Sequence, residues 1–334
     1  MDCHRGKRFS FSRASLALLA FVVSITGNNA SAQWKPEKNV EIIIGTSPGG
    51  GQDKTGRVLQ HLLQDKRLID VAATVVNKPG GGGTVAWIYL NQHAGDGHFL
   101  EVGTTTLLTN QIIGRSTIGH NDVTPVAMLL AESVAFSVRE DSPIRNGRDL
   151  LERLRKDASS VSVSIGSTVG GPNHIALALI AKAVGGDVKK LKTVVFQGGG
   201  DAIVALLGGH IDLIASAANN VVPHLAAGKL RVIGVTSPQR LAGILANAPT
   251  WKEQGVDVQI TNWRMVAGPK GMRAAQVGYW ENAFARLVQT EEWKKDLEQN
   301  LFENTYMNSA DSRKYLGAQY EQFRSTLSEV GLAK

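Results

Sequence analysis

Four clusters of glycine each stand between a segment with the apolar pattern of a strand and a segment with the pattern of a helix. They are residues 49–51, residues 80–83, residues 198–200, and the group Gly166, Gly170 and Gly171. The chain has 36 glycines, about 23 are expected at an average usage of about 7%, and the clusters hold thirteen. Glycine permits positive φ and close approach of the backbone to a ligand. The repeated unit therefore predicts an α/β fold whose glycine loops lie at strand ends, where such sheets bind ligands.

The apolar pattern predicts where the regular elements lie. Strands are expected at 40–44, 74–77, 98–103, 161–165, 193–196, 211–215 and 230–235, and helices near 59–63, 85–91, 147–154, 173–184 and 202–207. A second series of elements begins near Val134, and after Gln259 the chain is expected to turn helical. The last helix carries Leu316, Phe323 and Leu327 on one face, as a docking helix does. This order predicts a mostly parallel sheet.

Residues 1–32 have the pattern of a secretory signal peptide. A basic segment at 5–13 precedes an apolar run from Leu16 to Ile25, and Ala30-Ser31-Ala32 supplies the small residues of a cleavage site. The apolar run has about half the ~20 residues that a membrane-spanning helix needs. We therefore expect a soluble mature chain, from about Gln33, in the periplasm.

Removal of this segment changes the charge and the cysteine content. The formal net charge falls from +7 to +4, because four basic residues and Asp2 leave with it. Short lysine runs such as 189–192 have no interleaved aromatic residues, so we expect no nucleic-acid partner. The single cysteine, Cys3, also leaves. No histidine stands at metal-ligand spacing from another ligand, so we expect no metal and no cofactor.

The glycine loops suit an anion. Consecutive N–H groups at the amino end of a helix can converge on a negative charge without help from Arg or Lys. Each hydrogen bond to a carboxylate contributes about 1.5–3 kcal/mol. One such cluster could serve only as a tight turn, but four at successive strand ends favour ligand binding.

Other motifs fit the first glycine loop poorly. A phosphate-binding P-loop needs glycine where this chain has Asp53, and the dinucleotide fingerprint needs glycine where it has Lys54. Residues 45–49 match the esterase pattern G-x-S-x-G, which makes Ser47 a candidate nucleophile. Pro48, however, has no N–H for an oxyanion hole and holds Ser47 in the extended region. A secreted α/β hydrolase is the weaker alternative, and we predict no enzyme and no catalytic residue.

Six segments carry a family resemblance that runs from about Trp34 to the C-terminus: Ser47-Pro48-Gly49-Gly50-Gly51-Gln52-Asp53, Asn77-Lys78-Pro79-Gly80-Gly81-Gly82-Gly83, Gly103-Thr104-Thr105-Thr106 with Asn110, Asp122-Val123-Thr124-Pro125-Val126-Ala127, Leu206-Leu207-Gly208-Gly209-His210-Ile211-Asp212 and Ala227-Gly228-Lys229-Leu230-Arg231. Together they resemble the periplasmic solute receptors of tripartite tricarboxylate transporters, also called the Bug family.

The resemblance implies a two-lobed type II periplasmic binding protein fold with a hinge and an interlobe ligand cleft. Lobe 1 would comprise residues 33–132 plus 260–334, and lobe 2 residues 133–259. A monomer of this kind would capture a small carboxylate, a di- or tricarboxylate or a related organic acid, and deliver it to membrane transporter subunits. The alternative is a sensor co-receptor, whose closed form a signalling protein recognises.

The resemblance also implies which residues bind the ligand. Carried over by position, they are Ser47, Gly49, Gly50, Gly51 and Asp53 from the first loop and Ser167, Thr168, Asn173 and His174 from the second lobe. Thr105, Thr106, Gln197, Gly198, Gly199 and Asp201 would line the cleft. Ser216 and Asn219 follow the strand at 211–215, where the family often has an acidic residue, and this departure leaves the contact to the far end of the ligand open.

Two residues have alternative roles. His174 either hydrogen-bonds the ligand or positions its own loop. Arg264, beside Trp263 on a return strand seen in part of the family, either pairs with a second carboxylate or forms a surface salt bridge.

Overall fold

The computed structural model describes residues 1–2, 6, 34–166, 168–196 and 199–334. Most of the predicted signal peptide lies outside these residues, as do Ser167, Gln197 and Gly198. The strands of the described part are β1 (Val40–Ile44), β2 (Ala73–Asn77), β3 (Phe99–Gly103), β4 (Val123–Arg139), β5 (Ser162–Ser164), β6 (Lys192–Val194), β7 (Leu213–Ala217), β8 (Leu230–Val235), β9 (Thr261–Pro269) and β10 (Glu303–Met307). The helices are α1 (Gly51–Asp65), α2 (Thr84–Asn91), α3 (Thr106–Ile112), α4 (Gly147–Lys156), α5 (Pro172–Ala183), α6 (Gly199–Leu207), α7 (Ala218–Ala226), α8 (Ala274–Leu287), α9 (Glu291–Gln299) and α10 (Ser309–Glu329).

The described strands form one sheet in the order β2-β1-β3-β9-β4-β7-β5-β6, and β8 and β10 also pair with β4. The outer strands are parallel: β1 pairs with β2 and β3, and β5 with β6 and β7. The centre is antiparallel, because β9 runs against both β3 and β4, and β4 runs against β7 and β8. The prediction of a mostly parallel sheet is therefore wrong for the centre.

The longest strand, β4, is shared by two halves of the sheet. Its residues 123–133 pair with β9, and residues 134–139 pair with β7 and β8. We call β1–β3, β9, β10 and residues 123–133 the first half, and β5–β8 and residues 134–139 the second half. The predicted start of the second series, near Val134, falls inside this continuous strand.

The expectation that the chain turns helical after Gln259 is wrong, because β9 begins at Thr261. Trp263 and Met265 face one core, and Val266 faces the core on the other side of the sheet. A strand that is buried on both faces lacks the apolar–polar alternation of a half-exposed strand. Its pattern is therefore hard to tell from that of a buried helix.

Helices cover both faces of the sheet and bury apolar cores beneath them. One core joins α2, α3, α5 and α10 to the sheet, a second joins α1, α8 and α9, and a third lies under α6 and α7. The predicted α/β class is confirmed in this part of the chain. Among the described residues, no helix combines the length and the apolar composition needed to cross a bilayer.

Thr236 hydrogen-bonds to both segments in which the chain passes from one half of the sheet to the other, one at Val134 and one at Ile260. Its buried hydroxyl accepts a hydrogen bond from Val134 N–H at 2.9 Å and donates one to the carbonyl of Ile260 at 2.6 Å. Its own N–H donates to the carbonyl of Val134 at 3.0 Å. One side chain thus bridges both crossing segments.

Candidate ligand-binding site

The first glycine loop leads from the end of β1 into α1. Gly49 has φ +83°, a conformation that glycine adopts without strain, and Gly50 caps the helix with no side-chain hydrogen bond. The first N–H groups of an α-helix have no partner within the helix. Since Ser47, Gly49 and Gly50 are exposed or half-buried, the amino end of α1 is open to a ligand.

Asp53 lies behind this loop. Its buried carboxylate accepts hydrogen bonds from Gly49 N–H at 2.8 Å, from Asn77 Nδ2 at 2.9 Å and from Arg57 Nε at 2.9 Å. Burial alone would raise the pKa of Asp53, but the hydrogen bonds from Arg57, Gly49 and Asn77 outweigh it and lower the pKa. Asp53 therefore shapes the loop from within and keeps its negative charge.

The loop before α5 leads from β5 into that helix. Gly171 caps α5 with no side-chain hydrogen bond, and Pro172 occupies the first turn, where a missing N–H costs nothing. His174 turns back, and its Nδ1 accepts a hydrogen bond from Gly170 N–H at 3.0 Å. Burial, with the positive charge of Arg115, lowers the pKa of His174 to about 4. His174 is thus neutral at pH 7, and its Nδ1 holds the loop.

Contacts between loops bring these regions together. A Cβ at Gly45 would stand 2.9 Å from the Cα of Gly83, so the first and second glycine loops touch. A Cβ at Gly82 would stand 3.3 Å from Oγ1 of Thr168, so the second glycine loop also touches the loop before α5. Arg115, after α3, donates to Thr168 Oγ1 at 3.1 Å. The three loops therefore form one continuous surface.

The threonines at the end of β3 lie at the same edge of the sheet. Thr105 is fully buried, and its hydroxyl donates to Asn262 Oδ1 at 2.9 Å. Thr106 is half-buried, with its hydroxyl 2.9 Å from that of Thr104. Asn110, one turn further on, holds the second glycine loop by donating to the carbonyls of Gly81 and Gly82, both at 3.1 Å.

The remaining predicted residues lie in the second half of the molecule. Gly199 begins α6, and Asp201 is exposed on its first turn. Ser216 is buried on β7 opposite Ala135, and its hydroxyl donates to the carbonyl of Ala217. Asn219 lies in the first turn of α7, and its buried Oδ1 has no partner among the described residues. Within the described residues, no side-chain hydrogen bond or salt bridge joins these four residues to the first glycine loop.

Arg264 is buried, so the surface salt bridge considered for it is wrong. Its Nη2 donates to Glu132 Oε1 at 2.7 Å, and the two side chains are 4% and 6% exposed. Asn262 Nδ2 donates to the same oxygen at 2.7 Å. Sequence reasoning missed Glu132 and Asn262; a charged residue within an apolar strand such as β4 was the available signal.

A surface pocket of about 630 Å³ holds none of the predicted residues. It lies between the β9–α8 turn, α8 and α10, with Lys270, Met272 and Arg313 in its walls. The candidate site rests instead on the glycine loops and the buried charges beside them. No three His, Cys, Asp or Glu side chains lie together as metal ligands in residues 34–166, 168–196 and 199–334.

The family model and the related proteins that match this chain point to the same family. A model described as tripartite tricarboxylate transporter family receptor matches residues 57–332. The "UPF0065 protein in gbd 5'region" of Cupriavidus necator is 24% identical over 336 residues, 98% of this chain and 99% of that protein. Protein BugT of Bordetella pertussis is 24% identical over 265 residues, 77% of this chain and 78% of BugT.

Solved structures show the same fold. A TctC solute-binding protein from Polaromonas is 27% identical with a TM-score of 0.69, covering 88% of this chain and 99% of that one. MatC of Rhodopseudomonas palustris, solved with malate, is 20% identical with a TM-score of 0.77 and coverage of 87% and 99%. Another R. palustris protein, solved with adipate, is 21% identical with a TM-score of 0.81 and coverage of 89% and 99%. The predicted fold class, a periplasmic binding protein fold, is confirmed, and the chain belongs to the tripartite tricarboxylate transporter receptor family.

Proposed function

We propose that this solute-binding receptor holds a small carboxylate, a di- or tricarboxylate or a related organic acid, between the first glycine loop and the loop before α5. The amino ends of α1 and α5 carry the proposal, because both open onto the continuous surface formed by the glycine loops. Neither helix has a side-chain cap, a feature they share with α2, α3 and α7. Helices α4, α9 and α10, which lie away from this surface, begin with caps from Asn146, Thr290 and Asn308. The free amides of α1 and α5 form the surface that a carboxylate needs.

The ligand class is supported by the relatives. MatC was solved with malate and the second R. palustris protein with adipate, two small dicarboxylates of different length. Backbone amides recognise a carboxylate group and not the length of the chain attached to it. The class of ligand is therefore a small carboxylate, and the binding measurements below identify the individual acid.

Binding is proposed to close two lobes, residues 33–132 plus 260–334 and residues 133–259. Arg115, which precedes β4, reaches Thr168 Oγ1 and the carbonyl of Val169 at 3.3 Å in the other lobe. Closure removes water from around the ligand and strengthens each hydrogen bond to it. It also creates the surface that a membrane partner recognises.

The receptor is proposed to leave its ligand chemically unchanged. Pro48 deprives Ser47 of the neighbouring N–H that an oxyanion hole requires. A hydrolase would instead turn over activated esters, and that turnover would disappear in Ser47→Ala. Esterase activity of this kind would contradict the receptor proposal.

The direct test measures binding to the purified mature chain, produced from Gln33. Native mass spectrometry first shows whether a ligand is trapped and whether the chain is the expected monomer. Thermal unfolding and calorimetry then measure binding of mono-, di- and tricarboxylates. An acid at 100 times its dissociation constant adds about 2.7 kcal/mol of stability. No response to any carboxylate would contradict the proposal.

A matched pair of glycine variants locates the site. Gly51→Ala places a methyl group at the first turn of α1, where Arg264 Nη2 at 3.5 Å is the nearest atom, and Gly278→Ala places one on α8 with nothing within 4 Å. In the interior of α8 such a change favours the helix by about 0.5–1 kcal/mol, and Gly51 is the first residue of α1. We expect Gly51→Ala alone to weaken binding, by about tenfold, because its methyl group crowds the amides. Equal affinities of the two variants would place the ligand elsewhere.

The membrane partner is tested in cells. Deletion of the gene should abolish uptake of the acid that binds, and restoration of the gene should recover it. Unchanged uptake with a lost transcriptional response to the same acid would instead favour the sensor co-receptor.

A further inference from the structure

A buried ion pair lies beside the amino end of α1. Arg264 on β9 and Glu132 on β4 are 132 residues apart in sequence, and their atoms Nη2 and Oε1 are 2.7 Å apart. The Nη2 atom also lies 3.5 Å from the point where a Cβ at Gly51 would stand. The guanidinium is therefore a neighbour of the first turn of α1.

The carboxylate of this pair is held in place from the other side. Asn262 Nδ2 donates to Glu132 Oε1 at 2.7 Å, and Thr105 Oγ1 donates to Asn262 Oδ1 at 2.9 Å. Glu132 is thus a fixed acceptor, and it fixes the position of Arg264 in turn. Thr105, Asn262 and Glu132 act as positioning residues.

Two of the nitrogen atoms of the Arg264 guanidinium have no hydrogen-bond partner among the described residues. These atoms are Nε and Nη1, and both are buried, since Arg264 is only 4% exposed. Buried donors without partners are costly, above all on a charged group. Asp53, the nearest carboxylate on α1, is already engaged by Gly49, Arg57 and Asn77.

The surroundings of these donors favour an anion. The amino end of α1 carries a partial positive charge and no side-chain cap, and Arg264 adds a full positive charge beside it. Two positive centres side by side are stabilised by a negative group that contacts both. A carboxylate has the planar geometry that arginine binds best.

We propose that Arg264 is the specificity-determining cation of the ligand cleft and contacts the carboxylate bound at the amino end of α1. Glu132 balances its charge, so this subsite takes one carboxylate group and disfavours further negative charge nearby. The inference rests on the proposed function, because it names the side chain that recognises the carboxylate bound at the amino end of α1.

The test compares four variants with the wild type by calorimetry, with succinate, malate, adipate and citrate as probes at constant ionic strength. Arg264→Gln should weaken binding at least tenfold. Glu132→Gln keeps an acceptor for Arg264 and Asn262 but removes the competing charge, so it should strengthen binding, several-fold for citrate and less for succinate. A pair with only a structural role would give weaker binding in both variants.

The other two variants are controls. Arg264→Gln leaves Glu132 buried without its cation and can unfold the chain, so Glu132→Gln/Arg264→Gln is made with it, as a neutral pair that can still hydrogen-bond. Its weakened binding, in a chain that circular dichroism shows to be folded, supports the assignment. Arg148→Gln removes a charge from an exposed position on α4 and should bind as the wild type does.

The outcomes separate the two proposals. If the wild type binds acids and the folded double variant binds them equally well, Arg264 does not contact the ligand and this inference is overturned alone. A Glu132→Gln variant that binds more weakly than the wild type overturns the role given to Glu132. If the wild type binds none of the four acids or the wider carboxylate panel, the proposed function fails and this inference fails with it.

Discussion

Glu101 lies on β3 with its side chain fully buried, and neither of its carboxylate oxygens has a hydrogen-bond partner among the described residues. Burial raises the pKa of this carboxyl well above its usual value. The folded chain therefore retains this proton to a higher pH than the unfolded chain does. The associated stability is present below the usual pKa of glutamate and is lost as pH rises toward the raised one.

We expect Glu101→Gln to remove this pH dependence, because glutamine has the same shape and does not titrate. The free energy of unfolding in urea, measured at pH 5, 6.5 and 8, should fall with pH in the wild type. Each unit by which the pKa is raised corresponds to about 1.4 kcal/mol. Glu298→Gln, at an exposed position on α9, should keep the wild-type slope, and an unchanged slope in Glu101→Gln would refute the prediction.

Asp53 gives a second prediction at this scale. Asp53→Asn replaces an acceptor of three donors with a group that is itself partly a donor, so we expect a loss of about 2–3 kcal/mol and weaker ligand binding. Arg57→Gln removes the partner whose side chain is 52% exposed and should cost less than about 1 kcal/mol. Chemical unfolding and calorimetry measure both effects; equal losses would mean that Asp53 serves only the ion pair.

At the scale of elements, the loop before α5 depends on one neutral imidazole. Protonation of His174 removes the acceptor of Gly170 N–H, and the pKa of His174 is lowered to about 4. Because the unfolded state binds this proton more readily, the stability from His174 is lost as pH falls from about 6.5 toward 4, by up to about 3 kcal/mol. His174→Asn, which keeps an acceptor without titrating, should flatten this part of the stability profile. A profile that His174→Asn leaves unchanged would contradict this role for the imidazole.

Elements with a distinctive local pattern were predictable from sequence. The strands Val40–Ile44 and Leu230–Val235 are apolar, β-branched runs next to turn residues, and they lie where the pattern places them. The strand expected at 211–215 begins two residues later, at Leu213. The apolar pattern did not predict β9, since burial on both faces removes the alternation that identifies a strand, and only the family resemblance placed Trp263 and Arg264 on a return strand.

The candidate site was predictable to the same extent. The glycine loops can be recognised in the sequence, because glycine is the residue that adopts positive φ without strain and it clusters where the chain needs such turns. The pair of Glu132 and Arg264 was not visible, because its geometry depends on the register between β4 and β9. Nothing local to either residue encodes that register.

At the scale of the whole molecule, Thr236 joins the segments on which the proposed closing movement depends. Thr236→Val keeps the shape and leaves the N–H of Val134 and the carbonyl of Ile260 buried without this partner, so we expect a loss of about 2–4 kcal/mol. Thr236→Ser keeps the hydroxyl and should lose about 1 kcal/mol. Unfolding in urea gives the stabilities, and small-angle scattering should report a more open ligand-free form for Thr236→Val alone. Equal behaviour of the two variants would show that the hydroxyl is dispensable.

The shared strand β4 makes the chain indivisible. Its residues 123–133 complete one half of the sheet and residues 134–139 the other. A cut between the two parts therefore leaves each fragment with only part of this strand. Neither fragment is then a domain in the sense of a unit that folds alone. Two such fragments, expressed separately, should gain structure only on meeting, so the receptor is suited to a split reporter whose reassembly depends on β4.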